Sequence, residues 1–222
     1  MGPVKVAVLI SGRGSNLKAL LAACACPEFP ATVVSVISDN PDAGGLAHAD
    51  AFGVPKTVVA RADYDSKTAF EAGLQAAIRQ SEADLVCLAG FMRLLSAGFL
   101  AQWDDRIINI HPSLLPSFRG LNTHERALEA GVRISGCTVH VVRPAMDEGP
   151  ILVQAAVPVL PDDTTDDLAS RVLSVEHRAY PLALRLIAEG RVRVEKDQVV
   201  GVGKPIDRSA IEGSMLIAPP VP

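Results

Sequence analysis

The chain of 222 residues is long enough for one large α/β domain with a substantial core. Hydrophobic residues make up 49% of it and charged residues 21%, which excludes an intrinsically disordered chain. A net charge of -4 gives no indication of a nucleic-acid surface, and no stretch is apolar and long enough for a membrane helix. The N-terminus resembles no secretion signal, and four irregularly spaced cysteines are typical of a reduced cytoplasmic protein.

Apolar, strand-like runs alternate with helix-like segments in the first half of the sequence. Strands are predicted at 4–10, 32–38, 57–60, 84–89 and 106–110, and helices at 16–25, 44–52, 66–80 and 95–103. This order predicts an α/β fold with a doubly wound, mostly parallel sheet of the Rossmann type and helices on both of its faces. Ligands are expected beyond the carboxyl ends of the strands.

The second half predicts a helix at 123–130 and strands at 136–142 and 151–160. Only residues 143–150 separate the two strands, which permits an antiparallel pair and makes the sheet mixed. Asp163 and Thr164 can cap a long helix that runs to Glu189 and that Pro181 is expected to bend or divide. A hairpin at 191–202 completes a single domain at 1–205, followed by a poorly ordered tail at 206–222.

The first predicted strand runs into Ser-Gly-Arg-Gly-Ser-Asn-Leu at 11–17. Two glycines and two hydroxyls before a helix are typical of a phosphate site, because freed backbone N–H groups and the helix dipole attract an anion. The spacing fits neither the full dinucleotide fingerprint nor a Walker loop, so it favours a single phosphate. The alternative is a tight turn in which Asn16 caps the helix.

The strand at 106–110 delivers Asn109 and His111 on one face and stops at Pro112. An amide that donates to an oxyanion, beside an imidazole that moves a proton near neutral pH, suits acyl transfer. The alternative is that both are satisfied polar groups at a strand end.

Further polar residues follow the later strands. Thr138 and His140 share a face of the strand at 136–142, and Asp147 lies in the loop at 143–150, where it either orients a protonated His111 or is merely solvated. Glu176 either binds ribose hydroxyls or an ammonium group, or is a solvated helix position. Residues 91–95 can line a groove for a flat heterocycle or pack in the core.

Five segments together resemble the phosphoribosylglycinamide formyltransferase family, the folate-dependent enzymes of purine synthesis. They are Ser-Gly-Arg-Gly-Ser-Asn-Leu at 11–17, Leu-Ala-Gly-Phe-Met-Arg-Leu-Leu at 88–95, Asn-Ile-His-Pro-Ser-Leu-Leu-Pro at 109–116, residues 136–142, and Asp-Glu-Gly-Pro at 147–150. The resemblance runs in family order from about Val4 to the helix that contains Glu176.

The resemblance implies a formyltransferase-like fold and transfer of a formyl group from 10-formyltetrahydrofolate to the amine of 5′-phosphoribosylglycinamide, without a metal. It implies catalytic roles for Asn109, His111 and Asp147. It implies that the nucleotide substrate is bound by Gly14, Ser15, Asn16 and Glu176. It implies that the folate contacts Lys67, Met92, Arg93, Leu94, Leu95, Asn109, Arg143, Met146 and Asp147. Thr138 and His140 are expected to support the site, in a monomer or homodimer that binds neither nucleic acid nor membrane.

The sequence departs from the family at three places. Lys67 stands where an arginine is common near the folate tail, and a lysine cannot bind a carboxylate in a bidentate way. Asn122 replaces a histidine of Gly-Leu-His-Thr-His, so a proton relay is not expected there. Ser-Phe-Arg at 117–119 replaces the usual Lys-Tyr-Pro, which alters the contacts expected of that loop.

Three alternative functions remain at this point. A formyltetrahydrofolate hydrolase and a methionyl-tRNA formyltransferase share His-Pro-Ser-Leu-Leu-Pro-like segments. The hydrolase is expected to carry an extra N-terminal domain, and the tRNA enzyme a further C-terminal domain. The loop at 11–17 resembles that of phosphoribosylglycinamide formyltransferases more than that of either alternative. A non-catalytic nucleotide- or folate-binding module would need the phosphate loop and groove but not Asn109, His111 and Asp147 together.

Overall fold

The structure, a computed structural model, describes residues 2–201 and a short strand at Ile217–Ala218. It contains two compact units, the first ending at Asn109 and the second beginning at Ile110. The boundary therefore falls inside the strand that carries Asn109 and His111. Apart from that short strand, the tail predicted at 206–222 lies outside the described residues, and its poor order stays a prediction.

The first unit alternates strands and helices as predicted. Its elements are β1 (Val4–Ile10), α1 (Ser15–Cys24), β2 (Ala31–Ser38), α2 (Leu46–Ala51), β3 (Lys56–Val58), α3 (Lys67–Gln80), β4 (Leu85–Leu88), α4 (Ala97–Leu100) and β5 (Ile107–His111). The strands pair in the order β5-β4-β1-β2-β3, and every one of these pairs is parallel.

This strand order creates a switch point between β1 and β4. The chain moves outward from β1 through β2 to β3, then returns through α3 to β4 on the other side of β1. Because crossovers between parallel strands are right-handed, the outward and returning helices cover opposite faces of the sheet. Loops that leave β1 and β4 at their carboxyl ends therefore diverge, as at the ligand crevice of doubly wound folds.

The centre of this unit is built from apolar strands that are buried on both faces. Residues 6–10 of β1 and 85–88 of β4 are all buried. Leu17 and Leu20 of α1 and Leu74 and Ile78 of α3 are inaccessible to solvent. Burying a leucine or isoleucine side chain contributes about 1.5–3 kcal/mol to the stability of the fold. This packing holds the ends of β1 and β4, and so the loops that follow them, in place.

The second unit changes to antiparallel pairing. Its elements are α5 (Thr123–Glu129), β6 (Ile134–Val141), β7 (Ile151–Pro158), α6 (Thr165–Ala188), β8 (Val192–Glu195), β9 (Gln198–Gly201) and β10 (Ile217–Ala218). Its strands pair in the order β6-β7-β10; β6 and β7 are antiparallel, and so are β7 and β10, while β8 and β9 form a separate hairpin. The predicted α/β class, the mixed and mostly parallel sheet, and the final hairpin are confirmed.

The long helix α6 begins and ends where its sequence signals predict. Thr164 accepts a hydrogen bond from the Asp167 N–H, and the Asp167 carboxylate accepts one from the Thr164 N–H. Of the two expected effects of Pro181, a bend or a division, division is wrong, since α6 continues past the proline. Apolar residues inaccessible to solvent flank the proline on both sides, among them Ala179 and Leu184, and their packing outweighs one lost backbone hydrogen bond. Within the described residues, no helix has the length and apolarity to cross a membrane.

One predicted helix is much shorter than expected. The segment 95–103 contains only α4 (Ala97–Leu100), which Ser96 caps by accepting from the Phe99 N–H. Turns follow, and Asp104 and Asp105 both adopt positive φ, which a helix cannot accommodate. Leu95 therefore belongs to the irregular segment after β4.

Replacing Gly136 by alanine tests the close approach of β6 and β7. A Cβ at Gly136 would lie 1.9 Å from the Ala155 carbonyl oxygen, a backbone atom that cannot move without disturbing the strand pair. We expect G136A to lower the free energy of unfolding by about 3 kcal/mol in urea denaturation. In the matched control G98A, the new Cβ meets nothing closer than 4.0 Å, so a change of less than about 1 kcal/mol is expected. Equal stability of G136A and wild type would contradict this packing.

Candidate active site

The loop between β1 and α1 has the geometry of an anion site. Gly14 is the N-cap of α1 with a positive φ of 75°, and a Cβ there would lie 2.6 Å from the Gly45 Cα. Only glycine meets both conditions without strain. Ser15 and Asn16 open α1, so their backbone N–H groups belong to the first turn of the helix, which favours a bound phosphate.

Loops after β1 and β4 are joined directly. The Met92 N–H donates to Ser11 Oγ at 2.9 Å, and the Ser11 N–H donates to the Gly90 carbonyl at 3.1 Å. Met92 and Leu94 are 70% and 64% exposed, so both offer apolar surface to a flat ligand. Leu95 is buried, so its side chain belongs to the core.

Both cations predicted to contact the folate in this unit, Lys67 near its tail and Arg93 along its groove, have acidic partners. Lys67 Nζ lies 3.8 Å from Glu71, and Arg93 Nε donates to Asp39 Oδ2 at 2.5 Å. Glu71 also accepts hydrogen bonds from Ser96, through its N–H at 2.7 Å and through its hydroxyl. Hydrogen bonds therefore hold the segment that carries Arg93 on both sides, from Met92 to Ser11 and from Ser96 to Glu71.

Strand β5 carries Asn109, which is half-buried, and ends at the buried His111. His111 Nε2 lies 3.0 Å from the Phe118 carbonyl oxygen, and Nδ1 lies 3.4 Å from Asp147 Oδ2. Since a carbonyl oxygen can only accept, the Nε2 atom must carry a hydrogen. Nδ1 faces the Asp147 carboxylate, which orients the ring.

Asp147 is held in place by its own backbone and by a second loop. It adopts a positive φ of 55°, and its Oδ2 accepts the Gly120 N–H at 2.9 Å. The neighbouring Glu148 pairs with Arg119, so the two loops meet at two points. The Gly120 contact orients the Asp147 carboxylate toward His111, and the solvated-loop alternative does not apply to Asp147.

His140 faces the same carboxylate from β6. Its Nδ1 donates to the Val141 carbonyl at 3.1 Å, and its Nε2 lies 3.8 Å from Asp147 Oδ1. Burial lowers the pKa of His140 below its ordinary value, more than its contacts with Val141 and Asp147 raise it. The lowered pKa favours the neutral form of His140 at neutral pH.

Thr138 supports the loop that follows His111. Its hydroxyl donates to the Ser113 carbonyl at 2.7 Å and accepts the Leu115 N–H at 3.0 Å. The Gln154 amide donates both to Thr138 and to the Leu115 carbonyl. The irregular segment after β5 thus has its buried backbone groups satisfied by side chains.

The remaining predicted residues of the second unit lie on α6 and in the loop between β6 and β7. Glu176 is a buried residue of α6. Burial, and after it the charge of Glu176, raises the pKa of the Cys137 thiol to about 12. Met146 is half-exposed, and Arg143 Nε donates to Asp197 in the β8–β9 turn at 2.8 Å.

Sequence reasoning missed His124, which lies at the second position of α5. Its pKa is lowered first by burial and then by the nearby His111 ring. Its Nδ1 is buried and has no hydrogen-bond partner among the described residues. Sequence reasoning also missed the Phe118 carbonyl oxygen that accepts from His111, because a contact of a backbone atom does not depend on residue type.

The sequence signature described as Formyl transferase matches residues 4–184. The chain belongs to the formyl transferase family. Its predicted resemblance to phosphoribosylglycinamide formyltransferases is confirmed by a relative of that name from Haemophilus influenzae, 38% identical over 92% of this chain and 97% of the relative. A crystal structure of glycinamide ribonucleotide transformylase 1 from Symbiobacterium toebii is 49% identical, covers 90% of this chain and 95% of its own, and superposes with a TM-score of 0.88.

Some relatives of this formyl transferase family member are much longer. The trifunctional purine biosynthetic protein adenosine-3 of Gallus gallus is 48% identical over 86% of this chain, which spans only 19% of that protein. The chain thus matches about a fifth of that larger polypeptide.

Stability measured against pH tests the neutral state of His140. Between its lowered folded pKa and the ordinary value of 6.5, the unfolded chain binds more protons, so the protein loses stability as pH falls through this range. His124 and His177 act in the same direction but are present in both proteins compared. We expect H140N to lose less stability than wild type from about pH 7.5 to 5 in urea denaturation. If the unfolding free energies of wild type and H140N changed in parallel with pH, His140 would have the same pKa in the folded and the unfolded chain, which would contradict this prediction.

Proposed function

We propose that the chain transfers the formyl group of 10-formyltetrahydrofolate to the amine of 5′-phosphoribosylglycinamide, a step of de novo purine synthesis. The observation that carries this proposal is the position of His111 between an acceptor oxygen at Nε2 and the carboxylate of Asp147 at Nδ1. An imidazole held in this way, two residues after Asn109 on one strand, suits stabilisation of an oxyanion at acyl transfer.

The reaction begins when the neutral amine attacks the formyl carbon. Negative charge develops on the formyl oxygen, and the Asn109 amide and the His111 Nε2–H donate to it. For this, Nε2 exchanges the Phe118 carbonyl oxygen for the formyl oxygen, while Asp147 keeps the ring oriented and protonated. The tetrahedral intermediate then releases the folate nitrogen, which gains a proton as the attacking nitrogen loses one. No metal takes part in these steps.

The substrates are assigned by the same proposal to named residues. Gly14, Ser15 and Asn16 hold the nucleotide phosphate with backbone N–H groups, and Glu176 binds another part of this substrate. The folate lies along residues 92–95 with its tail toward Lys67 and Arg93, and its pterin lies against the backbone of Arg143, Met146 and Asp147. Thr138 and His140 support these loops.

The free state of all four described cysteines supports a cytoplasmic location, as does a role in purine synthesis. The protein acts as a monomer or homodimer without nucleic acid or membrane.

The decisive assay follows loss of 10-formyltetrahydrofolate by absorbance, with and without 5′-phosphoribosylglycinamide. Loss that requires the amine supports transfer. Loss without the amine would instead identify a formyltetrahydrofolate hydrolase, and no loss would indicate a binding module. A methionyl-tRNA formyltransferase would require charged tRNA as the acceptor.

Substitution of the paired groups tests their catalytic roles. We expect H111A or D147N to lower kcat about a hundred- to ten-thousandfold with little change in KM, because both groups act mainly in the transition state. The matched control is E148Q, which removes the adjacent carboxylate of the same loop and should keep kcat within about threefold of wild type. Near-normal turnover in H111A or D147N would remove the assigned roles.

Acceptor chemistry tests the phosphate loop. The unphosphorylated glycinamide riboside lacks the group that the first turn of α1 is proposed to bind. Because remote binding energy lowers the barrier, we expect its kcat/KM to fall at least about a hundredfold below that of the phosphorylated acceptor. S15A removes a hydroxyl but keeps the backbone donors, so it should reduce the difference in kcat/KM between the two acceptors only slightly. Equal reactivity of the two acceptors would exclude a phosphate site in this loop.

A further inference from the structure

Asp39 directly follows β2 and is fixed and buried although it carries a carboxylate. Its N–H donates to the Ile10 carbonyl at 3.3 Å, and its own carbonyl accepts the Arg61 N–H at 3.2 Å. The side chain is 1% exposed, and its Oδ1 has no hydrogen-bond partner among the described residues. An ionised carboxylate in such a place needs a cation, and Arg93 supplies it.

The contact with Asp39 uses only one part of the Arg93 guanidinium. Nε donates to Asp39 Oδ2 at 2.5 Å, and neither Nη atom donates to any described residue. The Arg93 side chain remains 47% exposed. Because the guanidinium is planar and rigid, anchoring Nε fixes the plane in which the two Nη atoms can bind a second carboxylate end-on.

The backbone on both sides of Arg93 is anchored as well. The Met92 N–H is bound by Ser11, and the Ser96 N–H is bound by Glu71. Arg93 therefore has a fixed origin at its Cα and a fixed orientation at its Nε. A long, half-exposed side chain would otherwise sample many rotamers, and ordering them would oppose ligand binding.

We propose that Asp39 is a positioning residue that orients the Nη atoms of Arg93 toward the glutamate carboxylate of the folate donor. This inference rests on the proposed function. Asp39 does not touch the folate; it acts through Arg93 and so determines preference for donors that carry the glutamate tail. Lys67 cannot replace this bidentate contact, because an ammonium group binds as a point charge.

The test compares 10-formyltetrahydrofolate with 10-formyltetrahydropteroate, which lacks the glutamate. We expect D39A to raise the KM for the first donor about three- to tenfold, while the KM for the second donor and kcat for both stay unchanged. D39N should restore the KM, because its amide oxygen still accepts from Nε. In an R93A background, D39A should add no further change.

The structural control is D163N, which alters another nearly buried aspartate that pairs with an arginine. Asp163 binds Arg171 at 2.6 and 2.7 Å at the start of α6. D163N should reduce Tm without changing the preference between the two donors. A KM for the folate donor that is unchanged or lowered in D39A, or raised equally for both donors, would overturn the positioning role.

Two further measurements keep the proposal testable. If D39A does not fold, R93K serves instead: its single ammonium cannot hold Asp39 and a tail carboxylate in a fixed fork, so the KM should rise for the glutamate-bearing donor alone. A wild-type KM in R93K would overturn the proposal. If wild type transfers no formyl group, the proposed function fails, and the role of Asp39 is then decided by calorimetry. The dissociation constants of 5-formyltetrahydrofolate and its pteroate analogue are compared between wild type, D39N and either D39A or R93K. A loss of affinity for the glutamate-bearing ligand alone, in D39A or R93K but not in D39N, supports the positioning role, and any other pattern overturns it.

Discussion

The contact between His111 and Asp147 is the constraint on which the rest of the second unit depends. The buried imidazole donates from Nε2 to the Phe118 carbonyl oxygen, and its Nδ1 faces the Asp147 carboxylate, so both ring nitrogens have a defined neighbour. Asp147 reaches the ring from a left-handed backbone conformation in the loop between β6 and β7. The antiparallel pair therefore serves to place one carboxylate, and the short connection between its strands limits where that carboxylate can lie.

Contacts made by the loop at 117–120 explain how this buried site is stable without substrate. Phe118 supplies an acceptor to His111, and Gly120 supplies a donor to Asp147. Each group that we propose as catalytic thus already has the type of partner that a substrate or intermediate would provide. Since one hydrogen bond is exchanged for another, the loop can give way at a small net cost in free energy. The departure of residues 117–119 from the usual Lys-Tyr-Pro preserves this exchange, because the contacts to His111 and Asp147 come from the backbone.

Local patterns predicted most of the fold because they depend on neighbouring residues. The predicted β1 matches residue for residue, and Thr164 caps α6 as its type indicates. What failed depends on distant packing: α4 is cut short by turns, and Pro181 is tolerated inside a helix whose buried face is packed on both sides of it. At the site, residue types indicated His111 and Asp147. The pairing of Asp39 with Arg93, across 54 positions, leaves no trace in either local sequence.

The donors that we propose to bind anions in the first unit are fixed in orientation rather than carried by unpaired side chains. The two cations predicted to contact the folate, Lys67 and Arg93, are each paired with a carboxylate, and the loop before α1 offers backbone N–H groups. In a chain of net charge -4, unpaired cations on flexible side chains would gain little from long-range attraction and would lose entropy on binding. A donor that is already oriented pays less of that cost when the ligand arrives. In the proposed site, Gly14 and the buried carboxylate of Asp39 therefore lower the same entropic cost of binding, one by shaping the backbone and the other by orienting a guanidinium.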